Sequence, residues 1–272
     1  MTVSLTNIKV TPNNKWFSDK HYLASDIISQ IPKHKVYVNV FRGGGHIFSQ
    51  KQPSKLEVFN DFDNDLVNFL MVARSKEVEL LYLLETLSTN RFLCEKWQQE
   101  TKPEDELKRA AIWYFLMCQR KSSINSNIVS GWSASSLDFA TDYQNTIQHL
   151  QSFVNRWRNV MIECVDFRRL IDIYDGPDTV FFIDAPYEGE DHLYHGDFSI
   201  QDHIDLAKRL RNIQGKAIVT YYECDLVNSL YKDWIRIEKY GGVGSAVNNS
   251  EMRKARKELI LMNFEEEQLS LF

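Results

Sequence analysis

The chain has 272 residues, 43% of them hydrophobic, with 32 Lys and Arg set against 37 Asp and Glu and a net charge of −5. That length allows one sizeable α/β domain with a smaller one appended. The balance argues against a protein coated in basic charge, although local basic patches can still serve nucleic acid. Cys94, Cys118, Cys164 and Cys224 are widely spaced, without a C-x-x-C pair or a nearby His at metal spacing, so they read as reduced thiols and no metal site is expected. Met1 to Val10 lacks a basic region followed by an apolar core, and no stretch approaches the ~18 apolar residues that span a bilayer. Neither secretion nor membrane insertion is expected, and the predicted location is cytoplasmic.

Lys15 to Ile31 carries Tyr22-Leu23-Ala24, Ile27-Ile28 and Ile31, the spacing of an amphipathic helix that ends before Pro32. Val36 to Phe41 is β-branched and aromatic and leads into Arg42-Gly43-Gly44-Gly45. A strand followed by glycines lets backbone approach a cofactor and opens a helix with free N–H groups, although such a turn is also a common structural device. A second strand, Leu56 to Phe59, gives way to Asn60-Asp61-Phe62-Asp63. An acid at that spacing after the glycines can accept hydrogen bonds from ribose hydroxyls. Asp63 or Asn64 is equally suited to cap the helix predicted from about Asp65, and both roles can coexist on different residues.

From Glu77 to about Arg158 the pattern becomes long helical segments, including Val78 to Leu87, Leu107 to Gln119 and Thr141 to Val160. Between them lies a polar stretch with Arg120, Lys121, Asn125, Asn127 and Trp132. Such side chains suit base edges and phosphates, and a solvated loop is the alternative. Asn159 to Phe167 is predicted as a strand and Arg168 to Ile173 as a short helix.

Val180-Phe181-Phe182-Ile183 then ends abruptly in Asp184-Ala185-Pro186-Tyr187. The apolar run suits a strand covered on both faces, and Pro186 stops the ladder because it has no N–H. Asp184 is thus placed at the carboxyl edge of a parallel sheet, where ligands bind; a plain capped strand end is the other reading. Glu188 to Phe198 shows no apolar periodicity. Ser199 to Arg211 is predicted as a capped helix, Ala217 to Tyr221 as a strand, Leu226 to Trp234 as a helix and Glu258 to Phe264 as the final strand. The basic run Arg253 to Lys257 reads as a solvated face or as a phosphate contact.

In this order the pieces resemble the Dam-type (D12 class) DNA adenine-N6 methyltransferases over nearly the whole chain. The resemblance rests on Trp16 to Leu23, Phe41-Arg42-Gly43-Gly44-Gly45 for the F-x-G-x-G turn, Asn60-Asp61, and Asp184-Ala185-Pro186-Tyr187 for the D-P-P-Y tetrad. It implies an α/β fold, a Rossmann-like methyltransferase domain (1–86 and 159–264) with an inserted, mainly helical target-recognition domain (87–158) and a tail (265–272). It further implies S-adenosylmethionine as methyl donor, held by Trp16, Lys20, Phe41, Gly43, Gly45, Asp61 and Asp166, and double-stranded DNA as substrate. DNA contacts are assigned to Arg120, Lys121, Asn125, Asn127 and Trp132. In the tetrad, Asp184 and the carbonyl of Ala185 would accept hydrogen bonds from the adenine amine while Tyr187 stacks on the flipped base.

The chain departs from the family pattern at Ser18-Asp19, where Gly-Gly is usual, at Asn39, where Glu is usual, and at Ala185, where Pro is usual. These departures motivate an alternative, a catalytically silent protein that binds DNA or the clamp; methylation of RNA adenine is a third reading. The tail residues Gln268, Leu269, Leu271 and Phe272 resemble the bacterial sliding-clamp-binding pentapeptide, which implies that clamp as a partner and a nucleoid-associated location.

Overall fold

The computed structural model describes residues 20–41, 45–120, 131–132, 139–187, 198–240 and 257–265. A short 3-10 helix, Lys20–Leu23, leads into α1 (Ala24–Ser29), β1 (Val36–Asn39), α2 (Gly45–Gln50) and β2 (Leu56–Asn60). Five helices come next: α3 (Asn64–Ser75), α4 (Glu77–Thr86), α5 (Arg91–Gln99), α6 (Glu106–Gln119) and α7 (Phe139–Trp157). The chain then alternates through β3 (Met161–Glu163), α8 (Phe167–Tyr174), β4 (Thr179–Ile183), α9 (Ile200–Leu210), β5 (Lys216–Tyr222) and α10 (Asp225–Leu230). It closes on β6 (Ile235–Tyr240) and β7 (Lys257–Met262). Among the described residues no helix is long and apolar enough to cross a membrane.

The strands form one sheet in the order β3-β2-β1-β4-β5-β7-β6. β1, β2, β3, β4 and β5 are parallel, and β7 runs antiparallel between β5 and β6. This is the Rossmann-like α/β fold expected from the sequence. The strand order reverses between β1 and β4, and in open parallel sheets the crevice beyond the strand ends at such a reversal is where ligands bind.

Period-2 alternation sorts each strand onto two apolar layers. Tyr37, Phe59, Val180, Phe182, Ile218 and Ile260 face one layer, which holds Ile27, Phe48, Phe69, Trp113, Phe153 and Trp157 from α1 to α7. Val38, Val58, Phe181, Ile183, Val219 and Leu261 face the other, filled by Leu170 of α8, Leu206 of α9 and Val227 of α10. The α4 to α7 helices therefore share a core with the sheet. Their last turn is also tied to it electrostatically: the guanidinium of Arg156 forks onto Glu57 of β2 at 2.6 and 2.9 Å and donates to the Phe48 carbonyl at 2.7 Å. Lys51 meets the same carboxylate at 2.5 Å. Removing one partner from a buried cluster of this kind leaves an uncompensated charge, so the set behaves as a unit.

Local chemistry explains where elements start and stop. Asp63 caps α3, accepting from the Asp65 and Leu66 N–H groups. Ser199 and Asp202 form a reciprocal capping box on α9. The strand predicted over 159–167 covers only Met161–Glu163, because Val165 turns away to exchange hydrogen bonds with the Asn60 side chain and Asp166 caps α8. The helix predicted over 226–234 stops at Leu230, where the Tyr231 N–H closes the last turn on the Val227 carbonyl. The residues beyond it form β6, an edge strand the sequence reading did not identify.

Candidate active site

β4 is buried along its full length, and the chain leaves it as Asp184-Ala185-Pro186-Tyr187 at the strand-order reversal. Register places Asn39 of β1 beside Phe182, and the Val40 N–H extends the ladder to the Phe182 carbonyl at 3.0 Å. The tip of β4 and the carboxyl end of β1 thus open onto one crevice.

Asp184 is 8% exposed and Tyr187 7% exposed, so both are held by the protein and only marginally by water. Thr220 of β5, wholly buried, donates its hydroxyl to Asp184 Oδ1 at 3.0 Å. The Tyr187 hydroxyl lies 3.0 Å from Glu258 Oε1 and 3.4 Å from Asp184 Oδ1. Its ring packs against Tyr222 with centroids 4.4 Å apart. Glu258 Oε2 accepts from the Tyr22 hydroxyl. Beside this group lies a cavity of about 320 Å³, lined by Tyr187, Tyr221, Tyr222, Glu223, Cys224, Val227 and Lys257, at the lower end of the size range of small-molecule sites.

The neighbouring strand ends complete the crevice. Asn39 is fully buried; its Nδ2 donates to the Phe41 carbonyl at 2.6 Å, while Oδ1 has no hydrogen-bond partner among the described residues. A buried acceptor without a donor is unfavourable unless a ligand satisfies it. Phe41 packs edge-on against Phe198 at 5.5 Å. Gly45 is the buried first residue of α2. Asp61 is buried at the end of β2 and accepts from the Asp63 N–H at 2.7 Å. Asn60 binds the Val40 and Val165 carbonyls, both at 3.0 Å, and so pins three strand ends together. Asp166 stands one strand further along, accepting from the Arg168 N–H at 2.8 Å.

The family model for D12 class N6 adenine-specific DNA methyltransferases matches residues 16–243. The chain belongs to this family. A DNA N-6-adenine-methyltransferase of Escherichia phage P1 is 23% identical over 234 residues, 80% of this chain. The match covers 31% of that relative, so the chain spans about a third of its length. The matched range includes Asp184 to Tyr187, and Phe41, Gly45 and Asp61 gather on the same sheet edge. The backbone of Lys20 lies in the 3-10 helix.

The expected DNA contacts fare differently. Arg120 is 2% exposed, its desolvation lowers its pKa, and the charge of Asp63 is among its surroundings. The guanidinium is thus enclosed largely by protein. Trp132 pairs across a β-bridge with Arg120, donates Nε1–H to Gln119 Oε1 at 3.1 Å and carries the Arg91 guanidinium 4.8 Å from its ring centroid. Lys257, from the basic run, is ion-paired with Glu223 and Glu238 at 3.1 and 3.0 Å. Trp16, Gly43, Lys121, Asn125, Asn127, Gln268, Leu269, Leu271 and Phe272 lie outside the described residues.

Sequence reasoning missed Thr220, Tyr222, Glu258 and Tyr22. The available signal was polarity out of place: Thr220 interrupts an apolar strand, and Glu258 is an acid before Leu259-Ile260-Leu261.

Proposed function

We propose that the chain transfers a methyl group from S-adenosylmethionine to the N6 amine of adenine in DNA. The observation that carries this reading is the Asp184 carboxylate, held by Thr220 at the tip of β4 where the strand order reverses. The donor supplies an electrophilic methyl on a sulfonium when bound. Asn39 Oδ1, a buried acceptor, suits its ammonium, and Asp61 suits ribose hydroxyls. Asn39 thus keeps the acceptor character of the usual Glu, though not its charge.

The adenine amine is a poor nucleophile because its lone pair is delocalised into the ring. Asp184 and the Ala185 carbonyl accept its two N–H groups, which favours a tetrahedral nitrogen and stabilises the positive charge that develops on it. The proton then lost from nitrogen passes to Asp184 or to solvent. Tyr187 is the stacking partner for a base extruded from the duplex at a cost of a few kcal/mol.

Residues 87–158 are assigned to target recognition, and Arg120, Lys121, Asn125, Asn127 and Trp132 to DNA contact, on the sequence resemblance alone. The tail Gln268 to Phe272 is assigned to the bacterial sliding clamp on its sequence alone, as a segment ordered on binding. Calorimetric titration with S-adenosylmethionine, followed by assay of N6-methyladenine in incubated DNA, tests the activity. Binding and transfer are expected, with transfer lost in Asp184→Ala. No binding with or without DNA refutes the reading. Deleting residues 268–272 is expected to abolish clamp binding and leave methyl transfer intact; unchanged clamp affinity refutes that assignment.

A further inference from the structure

Glu258 is an acid in a strand whose following residues are Leu259, Ile260, Leu261 and Met262. It is 0% exposed. Charge in such a place is costly, and a strand that only needed to fill space would carry another apolar residue there. Its two oxygens serve different parts of the molecule. Oε1 takes the Tyr187 hydroxyl at 3.0 Å, and Oε2 takes the Tyr22 hydroxyl.

Tyr187 belongs to the tip of β4. Tyr22 belongs to the 3-10 helix Lys20–Leu23, in the segment whose sequence resembles the family's cofactor segment. Burial first, and Glu258 second, hold the Tyr22 hydroxyl far above its ordinary pKa, so it remains a donor at neutral pH. Tyr187 has one proton to give, and its contact with Glu258 at 3.0 Å is better than that with Asp184 at 3.4 Å. Glu258 therefore pins the Tyr187 ring by its tip and leaves Asp184 Oδ1 to the Thr220 hydroxyl.

We infer that Glu258 is a positioning residue that couples the amino-terminal cofactor segment to the base-holding tyrosine, through a single carboxylate shared by Tyr22 and Tyr187. This rests on the methyl-transfer reading. It makes the two halves of the site interdependent: ordering Tyr22 orders Tyr187. Neither hydroxyl touches the reacting atoms in this role.

The test is a double-mutant cycle on the full chain, with kcat/KM for methyl transfer to duplex DNA as readout. Tyr22→Phe and Tyr187→Phe are each expected to lower it about tenfold, the scale of one hydrogen bond to a charged group, and the double variant about tenfold as well, because both act through one carboxylate. Glu258→Gln, which keeps the volume but leaves one acceptor oxygen for two hydroxyl donors, is expected to lose about as much as either Phe variant. Losses that multiply to about a hundredfold in the double variant overturn the inference; so does a Glu258→Gln variant that keeps the wild-type kcat/KM. Where Glu258→Gln does not fold, the near-isosteric Phe variants decide alone. A wild-type chain that transfers no methyl group overturns the underlying reading and this one with it, and it is seen before any variant is compared.

Discussion

Thr220 Oγ1 lies 3.0 Å from Asp184 Oδ1, with both residues buried, so a hydroxyl on β5 sets the rotation of the carboxylate at the end of β4. Thr220→Val keeps the shape and removes this bond. It is expected to lower kcat about tenfold with little change in KM for DNA, while Thr220→Ser retains most activity. Steady-state kinetics with each variant check this.

Asn39→Leu removes the buried Oδ1 acceptor together with the donation to the Phe41 carbonyl. Affinity for S-adenosylmethionine is expected to fall roughly tenfold or more. Titration calorimetry measures it, with far-ultraviolet circular dichroism as the control for folding. Unchanged affinity removes Asn39 from the cofactor set.

Gly215 is needed for space. A Cβ there comes within 2.8 Å of the Thr179 carbonyl oxygen and 3.0 Å of the Gly176 carbonyl oxygen, both backbone atoms that cannot swing aside. Gly215→Ala is expected to destabilise the fold by about 1–3 kcal/mol. The urea midpoint reports the loss, and activity well below the melting temperature is expected to persist.

Arg156→Met leaves Glu57 and Lys51 in a cluster built for a further cation, at an expected cost of about 3–5 kcal/mol. The same cluster shapes acid stability. Burial alone pushes the Glu57 carboxyl up, but hydrogen bonds and charge from Arg156 and Lys51 outweigh it and hold the carboxyl below its ordinary value. Asp65 is likewise held down by Lys102 and Arg109 against its burial. Groups with depressed folded pKa values stabilise fully above the unfolded value, and that stabilisation is lost as pH falls through the folded one. Melting temperatures are therefore expected to drop as pH falls below about 4, and the drop to be shallower in Arg156→Met.

The strands that carry the site were legible because each is an apolar run broken by chemistry: Val36 to Phe41 by glycines, Leu56 to Phe59 by Asn and Asp, Val180 to Ile183 by Asp and Pro. β6 was not, because Ile235-Arg236-Ile237-Glu238-Lys239-Tyr240 is a half-exposed edge strand whose charges dilute the signal. Asp184 and Tyr187 stood out by position. Thr220 and Glu258 did not, because their meaning lies in partners 36 and 71 residues away, and no local pattern encodes a contact made across a sheet.

The placement of β7 between β5 and β6 also bears on biogenesis. β6 leaves the ribosome before β7 does, yet its pairing within the sheet is with β7. Until residues 257–262 have emerged, β6 has no strand to join, and the tyrosines that meet on Glu258 have no anchor. A nascent chain halted before that point carries the β4 tip but lacks the carboxylate that anchors Tyr187.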